Sequence, residues 1–186
     1  MKHLTTVTLA SLALLAGPSG ASDERSAAQA LLVSEHKNAA ETFTLKTPRD
    51  WVVESRPGQP EVTEARGGSD LVFRIVRREG ELGLDGWHVQ CMLERLAGPM
   101  VTHPQVDYEY DFRQGWIGDR QAMESAFVVH YDEEIEGHRD WRQRNVTVIG
   151  GGESLCLIGM APRRVWKKSK KDRALLEAVM TSVRRH

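Results

Sequence analysis

The sequence predicts an α+β fold in a single domain, an antiparallel β-sheet with helices packed on it. Three observations lead there. Stretches of two-residue alternation outnumber stretches of helical period; short turns rich in glycine, proline or acids join successive strands; and two helical stretches stand apart, one in mid-chain and one at the end. Such a strand order argues against a doubly wound parallel sheet, and so against a nucleotide crevice at a strand-order switch. A length of 186 residues suits one domain, and 40% hydrophobic residues supply a core without a metal or a disulfide scaffold. With 26 acids against 25 bases, no global field favours nucleic acid.

Residues 1–21 read as a signal peptide cleaved after Ala21. Lys2 makes the start basic, 4–16 is apolar, Gly17-Pro18 breaks the run, and Ser19-Gly20-Ala21 offers small residues for cleavage. The apolar run is too short to cross a bilayer, which takes about 20 residues, and no later stretch could span one. No cysteine follows it, which rules out a bacterial lipoprotein. The expected location is periplasmic or secreted.

Residues 22–40 are polar around an Ala-Leu centre and predict a flexible lead-in or a short helix; the folded domain is expected over 41–186. Alternation at Phe43 and Leu45 makes a strand that ends at Thr47-Pro48. Trp51-Val52-Val53-Glu54 is a second strand, and 61–66 a third. Gly67-Gly68-Ser69-Asp70 reads as a hairpin turn into a long strand carrying Leu71, Phe73 and Ile75. Leu84, His88, Cys91, Met92, Arg95 and Leu96 then recur at helical spacing, so 85–97 is an amphipathic helix stopped by Gly98-Pro99. Strands follow over 106–113, 120–131, 139–149 and 155–161; an acidic loop at 132–138 and Gly150-Gly151-Gly152 turn the chain between the later ones. Leu175, Leu176, Val179, Met180 and Val183 define a last helix after a basic segment.

Phe43-x-Leu45-x-x-Pro48-x-x-Trp51 resembles the opening strand and turn of the PsbP-like superfamily, which includes the PsbP, DcrB and LpqN-like exported accessory proteins. Similar too are the mid-chain helix after a long strand, Gly118-x-Arg120-x-Ala122 at the entry to the central hairpin, and the ending Ser182-Val183-Arg184. The resemblance implies an αβα or two-layer sandwich that binds other proteins without catalysis, in an immunity or chaperone role among others. It carries over no catalytic residue and no cofactor.

The residues themselves offer little chemistry. There is no Gly-x-Ser-x-Gly elbow. His88 and Cys91, three apart, share a helix face, and a small envelope hydrolase using His88 or His130 is the alternative reading from the enzyme class. A metal or small-ligand carrier is another: 132–140 is rich in acids, but it lacks the ligand alternation of a calcium loop, and the histidines show no paired spacing. Cys91 and Cys156 mature in a disulfide-permissive compartment if exported; they either bridge or lie as two buried thiols.

Two surfaces stand out for binding. Seven of the eleven residues over 163–173 are Lys or Arg, with Trp166 in their midst; Trp166, Lys167, Lys168, Lys170 and Lys171 would meet a protein partner or an anionic envelope surface. Export makes nucleic acid an unsuitable partner. On the 139–149 strand, Arg142 and Arg144 point one way and Trp141 and Gln143 the other; with His130 and Glu124 they suggest a polar, partly open sheet face. The sequence therefore predicts an exported, non-enzymatic binding or accessory protein.

Overall fold

A computed structural model describes residues 22–38, 41–56, 59–96, 105–117 and 119–185. The leader expected over 1–21 lies outside them. Among the described residues, ten strands and four helices run in the order α1 (Ser22–Ala30), β1 (Ser34–Lys37), β2 (Phe43–Thr47), β3 (Val52–Arg56), β4 (Gln59–Gly67), β5 (Leu71–Glu79), α2 (Leu84–Leu96), β6 (Gln105–Ile117), β7 (Arg120–Ile135), β8 (His138–Ile149), β9 (Glu153–Pro162), α3 (Arg163–Lys168), α4 (Lys170–Thr181) and β10 (Arg184–Arg185). Each expected strand is present, and a 3-10 turn over Gly68–Asp70 joins β4 to β5.

Seven strands form one antiparallel sheet in the order β3-β4-β5-β9-β8-β7-β6. Helix α2 carries the chain from β5 to the far edge, and the meander β6 to β9 then returns until β9 pairs with β5. That crossover lays α2 over one face of the sheet. On the other face lie α4 and a small sheet, β1-β2-β10. The chain is an α+β antiparallel sandwich with helices on both sides.

Two apolar layers result. Phe43, Leu45, Phe73, Ile75, Val146, Leu157, Leu176 and Val179 belong to the layer beneath α4; Val76, Met92, Phe127, Val129, Trp141 and Ile158 belong to the layer beneath α2. Large side chains buried this way each stabilise by about 1.5–3 kcal/mol. Coverage on both faces explains why β5 is buried without interruption from Leu71 to Val76 rather than alternating between core and solvent. Two glycines permit the close approaches: a Cβ at Gly67 would lie 2.1 Å from the Trp51 ring, and one at Gly159 would lie 2.6 Å from Met180 Sδ.

The stretch 22–40, expected as a flexible lead-in or a short helix, holds over its described residues 22–38 a helix and also a strand. Ala28 of α1 is buried against the α4 layer, and β1 pairs with β2 from Ser34↔Thr47 to Lys37↔Thr44. The Asn38 carboxamide oxygen accepts from the Thr42 and Phe43 amides at 2.8 and 3.0 Å, holding this hairpin.

Cys91 of α2 and Cys156 of β9 are disulfide-bonded, with a Cα–Cα distance of 5.6 Å. The bond ties the crossover helix to the middle of the sheet, where both sulfurs are buried. Among the described residues, no helix is long and apolar enough to cross a membrane.

Candidate interaction surface

The basic segment is not a loop leading into a helix. It is a short helix, α3, followed directly by α4, with Ser169 between them accepting from the Asp172 amide at 3.1 Å as the α4 cap. Trp166 fixes α3 to the sheet. The Arg142 guanidinium lies 3.7 Å from the Trp166 ring centroid, and Arg173 lies 6.0 Å from it. Arg173 Nη1 also donates to the Trp166 carbonyl at 3.1 Å. Trp166 is thus half-buried between two cations rather than presented as a free anchor.

Arg142 and Arg144 do not form an open recognition face. Both are buried, Arg142 donating to Glu109 at 2.7 Å and Arg144 to Glu124 at 2.7 Å, with Glu177 of α4 3.7 Å from Arg144. The partly open polar face expected here is covered by α3 and α4, because two guanidiniums beneath a helical layer need carboxylates nearby. Glu124 is 1% exposed and comes from β7, opposite Val146 of β8.

What remains open is the outer side of the basic helices. Arg164, Lys167, Lys168, Lys170 and Lys171 are exposed, and among the described residues none of them meets a carboxylate. Five cations on a braced platform make a field that falls off over roughly 8–10 Å at ordinary ionic strength. Sequence reasoning had most of this group; it missed Arg173 and Glu109, whose role is to hold Trp166 and Arg142 in place.

His130 lies apart from that platform. Its two ring nitrogens face Asp140 and Asp107, each at 2.9 Å, across three neighbouring strands. Both nitrogens can donate only in the imidazolium form, and the hydrogen bonds to Asp140 and Asp107 raise its pKa. The arrangement is a charged clip on the sheet.

His88 is a core residue. It is fully buried beneath α2, with Nδ1 2.9 Å from Thr147 Oγ1 and Nε2 2.8 Å from Ser125 Oγ, and Phe112 packs edge-on against the ring. No substrate reaches it, and Cys91 beside it is in a disulfide, so the thiol–imidazole pair considered for a hydrolase is not formed. Burial lowers the His88 pKa from 6.5 to about 4, with Glu124 and Asp85 opposing the shift. The imidazole therefore stays neutral in the fold while the unfolded chain protonates near 6.5. Stability present above pH 6.5 is lost as pH falls toward 4, by about 3 kcal/mol. Urea unfolding at pH 7, 5.5 and 4 will show this slope in the native chain and lose it in His88→Gln.

The acidic tip is narrower than expected. Strands β7 and β8 run on to Ile135↔His138, leaving Glu136 and Gly137 as a two-residue turn, both at positive φ. His138 bonds Asp70 and Glu136 bonds Arg66. No group of three or more His, Cys, Asp or Glu among the described residues is placed to hold a metal.

The fold has counterparts among solved structures. Cyanobacterial PsbP (CyanoP) from Synechocystis sp. PCC 6803 matches with a TM-score of 0.60 at 10% identity, over 93% of this chain and 99% of that one. The chain has the PsbP-like fold. A second match is the Saccharomyces cerevisiae Ran-binding protein Mog1p, with a TM-score of 0.54 at 7% identity over 81% of this chain and 93% of that one. A Bacteroides thetaiotaomicron VPI-5482 protein matches at 0.51 and 12% identity, over 83% of this chain and 49% of its own. No protein-family model and no curated protein matches the sequence. On the PsbP-like frame, the site residues expected from sequence divide into three groups. Lys167, Lys168, Lys170 and Lys171 form one surface, while Arg142, Arg144 and Trp166 support it from below and His130 stands separately.

Proposed function

We propose that this chain is an exported, non-enzymatic accessory protein, periplasmic or secreted, that docks the acidic face of a protein partner through α3 and the start of α4. The observation that carries this reading is the exposed cation group on a helix held rigid by Trp166 between Arg142 and Arg173. A preformed helical platform needs no backbone ordering on binding, and electrostatic complementarity speeds encounter and selects the partner. The leader-like 1–21 stretch and the disulfide suit an oxidising compartment. A protein partner is also the mode named for Mog1p, which shares the fold.

The test is capture. The chain from Ser22 onward, tagged and produced in the envelope of its host, is crosslinked and purified beside the variant K167E/K168E/K170E/K171E. One dominant acidic protein should be captured by the native chain, with recovery reduced tenfold or more by the variant and by 0.5 M salt. Equal recovery by both chains contradicts the proposal. Anionic vesicles pelleting the native chain, with no protein captured, would move the partner to the envelope surface.

A further inference from the structure

A second surface lies on the face of the sheet opposite α3 and α4, where the start of α2 stands beside β6. Strand β6 comes last in the seven-strand order, so among the described residues one of its edges is unpaired. Its final residues pair with β7 as Gln114↔Met123, Trp116↔Gln121 and Ile117↔Arg120. Ile117 and Ala122 are buried in the layer beneath α4, and side chains alternate between faces along a strand. Trp116 and Gln121, their neighbours in sequence, therefore lie on the α2 face, as does Gln114 two residues before Trp116. Leu84 and Asp85, in the first turn of α2, close the other side. These residues line an open cleft of about 450 Å³, within the roughly 300–1,000 Å³ of small-ligand sites.

Trp116 is the exception among the five tryptophans. Trp51, Trp87 and Trp141 are buried and Trp166 is held half-buried between two arginines, whereas Trp116 is 58% exposed. Around it stand the carboxamides of Gln114 and Gln121 and the carboxylate of Asp85; among the described residues none of the three has a hydrogen-bond partner. No Lys or Arg lines the cleft. A purely apolar ligand would leave those polar groups buried and unpaired, and an anion would meet Asp85 with no cation to offset it. The occupant that fits has one flat apolar face and an uncharged rim that both donates and accepts.

We infer that this cleft binds a neutral pyranose sugar, free or within a glycan chain, with one ring on the Trp116 indole and its hydroxyls bonded by Gln114, Gln121 and Asp85. A pyranose with equatorial substituents exposes a flat face of C–H groups, whose slight positive charge suits the negative face of an indole. Its hydroxyls then point outward around the ring. A carboxamide sets a donor beside an acceptor, and a carboxylate adds two acceptors, which matches neighbouring hydroxyls that each do both. The site is independent of the basic helices.

Titration of the chain from Ser22 onward with cellotriose and with chitotriose, followed by calorimetry and by the indole N–H chemical shifts, tests the inference. At least one trisaccharide should bind saturably and move the indole signal that is missing from Trp116→Ala. Trp116→Ala should weaken binding tenfold or more at an unchanged melting temperature, while Trp116→Phe, which keeps an aromatic face, retains part of it. Gln121→Ala should weaken it several-fold, and K167E/K168E/K170E/K171E should leave it unchanged. A trisaccharide bound tenfold or more tighter than its monosaccharide supports the site with a glycan chain as the source; equal affinity supports it with a free sugar. No saturable binding of either trisaccharide, or equal binding by Trp116→Ala and the native chain, would overturn the site. Trigalacturonate binding more tightly than both would overturn the assignment of a neutral ligand.

Discussion

Replacing Cys91 and Cys156 together by alanine should lower the free energy of unfolding by about 4 kcal/mol, the chain-entropy value for a loop of this length. The two cysteines are 65 positions apart, and the loop they close contains the second half of α2 and strands β6 to β8. Without the bond, the unfolded chain regains the freedom to separate the crossover helix from β9. In the native state α2 still has Met92 in the apolar layer and His88 on Thr147 and Ser125, so the fold itself should persist. Urea unfolding of native and doubly substituted chains at pH 7 reads the difference directly, and reduction of the native chain should reproduce it. A loss under 1 kcal/mol would mean that α2 is held by packing alone.

Removing Glu124 should cost nearly as much. Its carboxylate is 1% exposed and accepts from Arg144 at 2.7 Å, so Glu124→Ala takes the nearest carboxylate from a buried guanidinium, with Glu177 farther off at 3.7 Å. Breaking a buried pair from one side typically costs about 3–5 kcal/mol, whereas replacing both partners with apolar residues of similar volume is near neutral. The expected order of stability is native chain, then Glu124→Leu/Arg144→Met close to it, then Glu124→Ala well below. Chemical denaturation of the three resolves it. If Glu124→Ala equals the native chain, Arg144 has enough water or other partners to stand alone.

The strands were legible because their alternation is local and their turns carry glycine or acids at the right spacing, as at Gly150-Gly151-Gly152. Helix α2 announced itself through period, and its place over the sheet followed from needing to reach the far edge. The 22–40 stretch was legible only in part: its Ala-Leu centre allowed a short helix, but α1 is polar with small Ala28 buried, which leaves little periodic trace, and β1 was not expected. Helix α3 left a faint signal in Ser169-x-x-Asp172, a cap that marks the start of α4 and so limits the basic segment. Arg142 and Arg144 misled because their partners, Glu109, Glu124 and Glu177, come from β6, β7 and α4; only strand register and helix placement bring them together. Long-range charge pairing has no local period, so it is the part of a site that a sequence conceals.

Site-specific photo-crosslinking in the host envelope tests the docking surface most directly. A photoreactive residue at Lys168 or Lys171 probes the proposed face, and one at Phe112, half-exposed beside α2, probes the other side of the sheet. One discrete protein adduct from positions 168 and 171, with none from 112, is the predicted result. The same adduct from 112 alone, or none from 168 and 171 while the chain is captured by its partner, would contradict docking through α3.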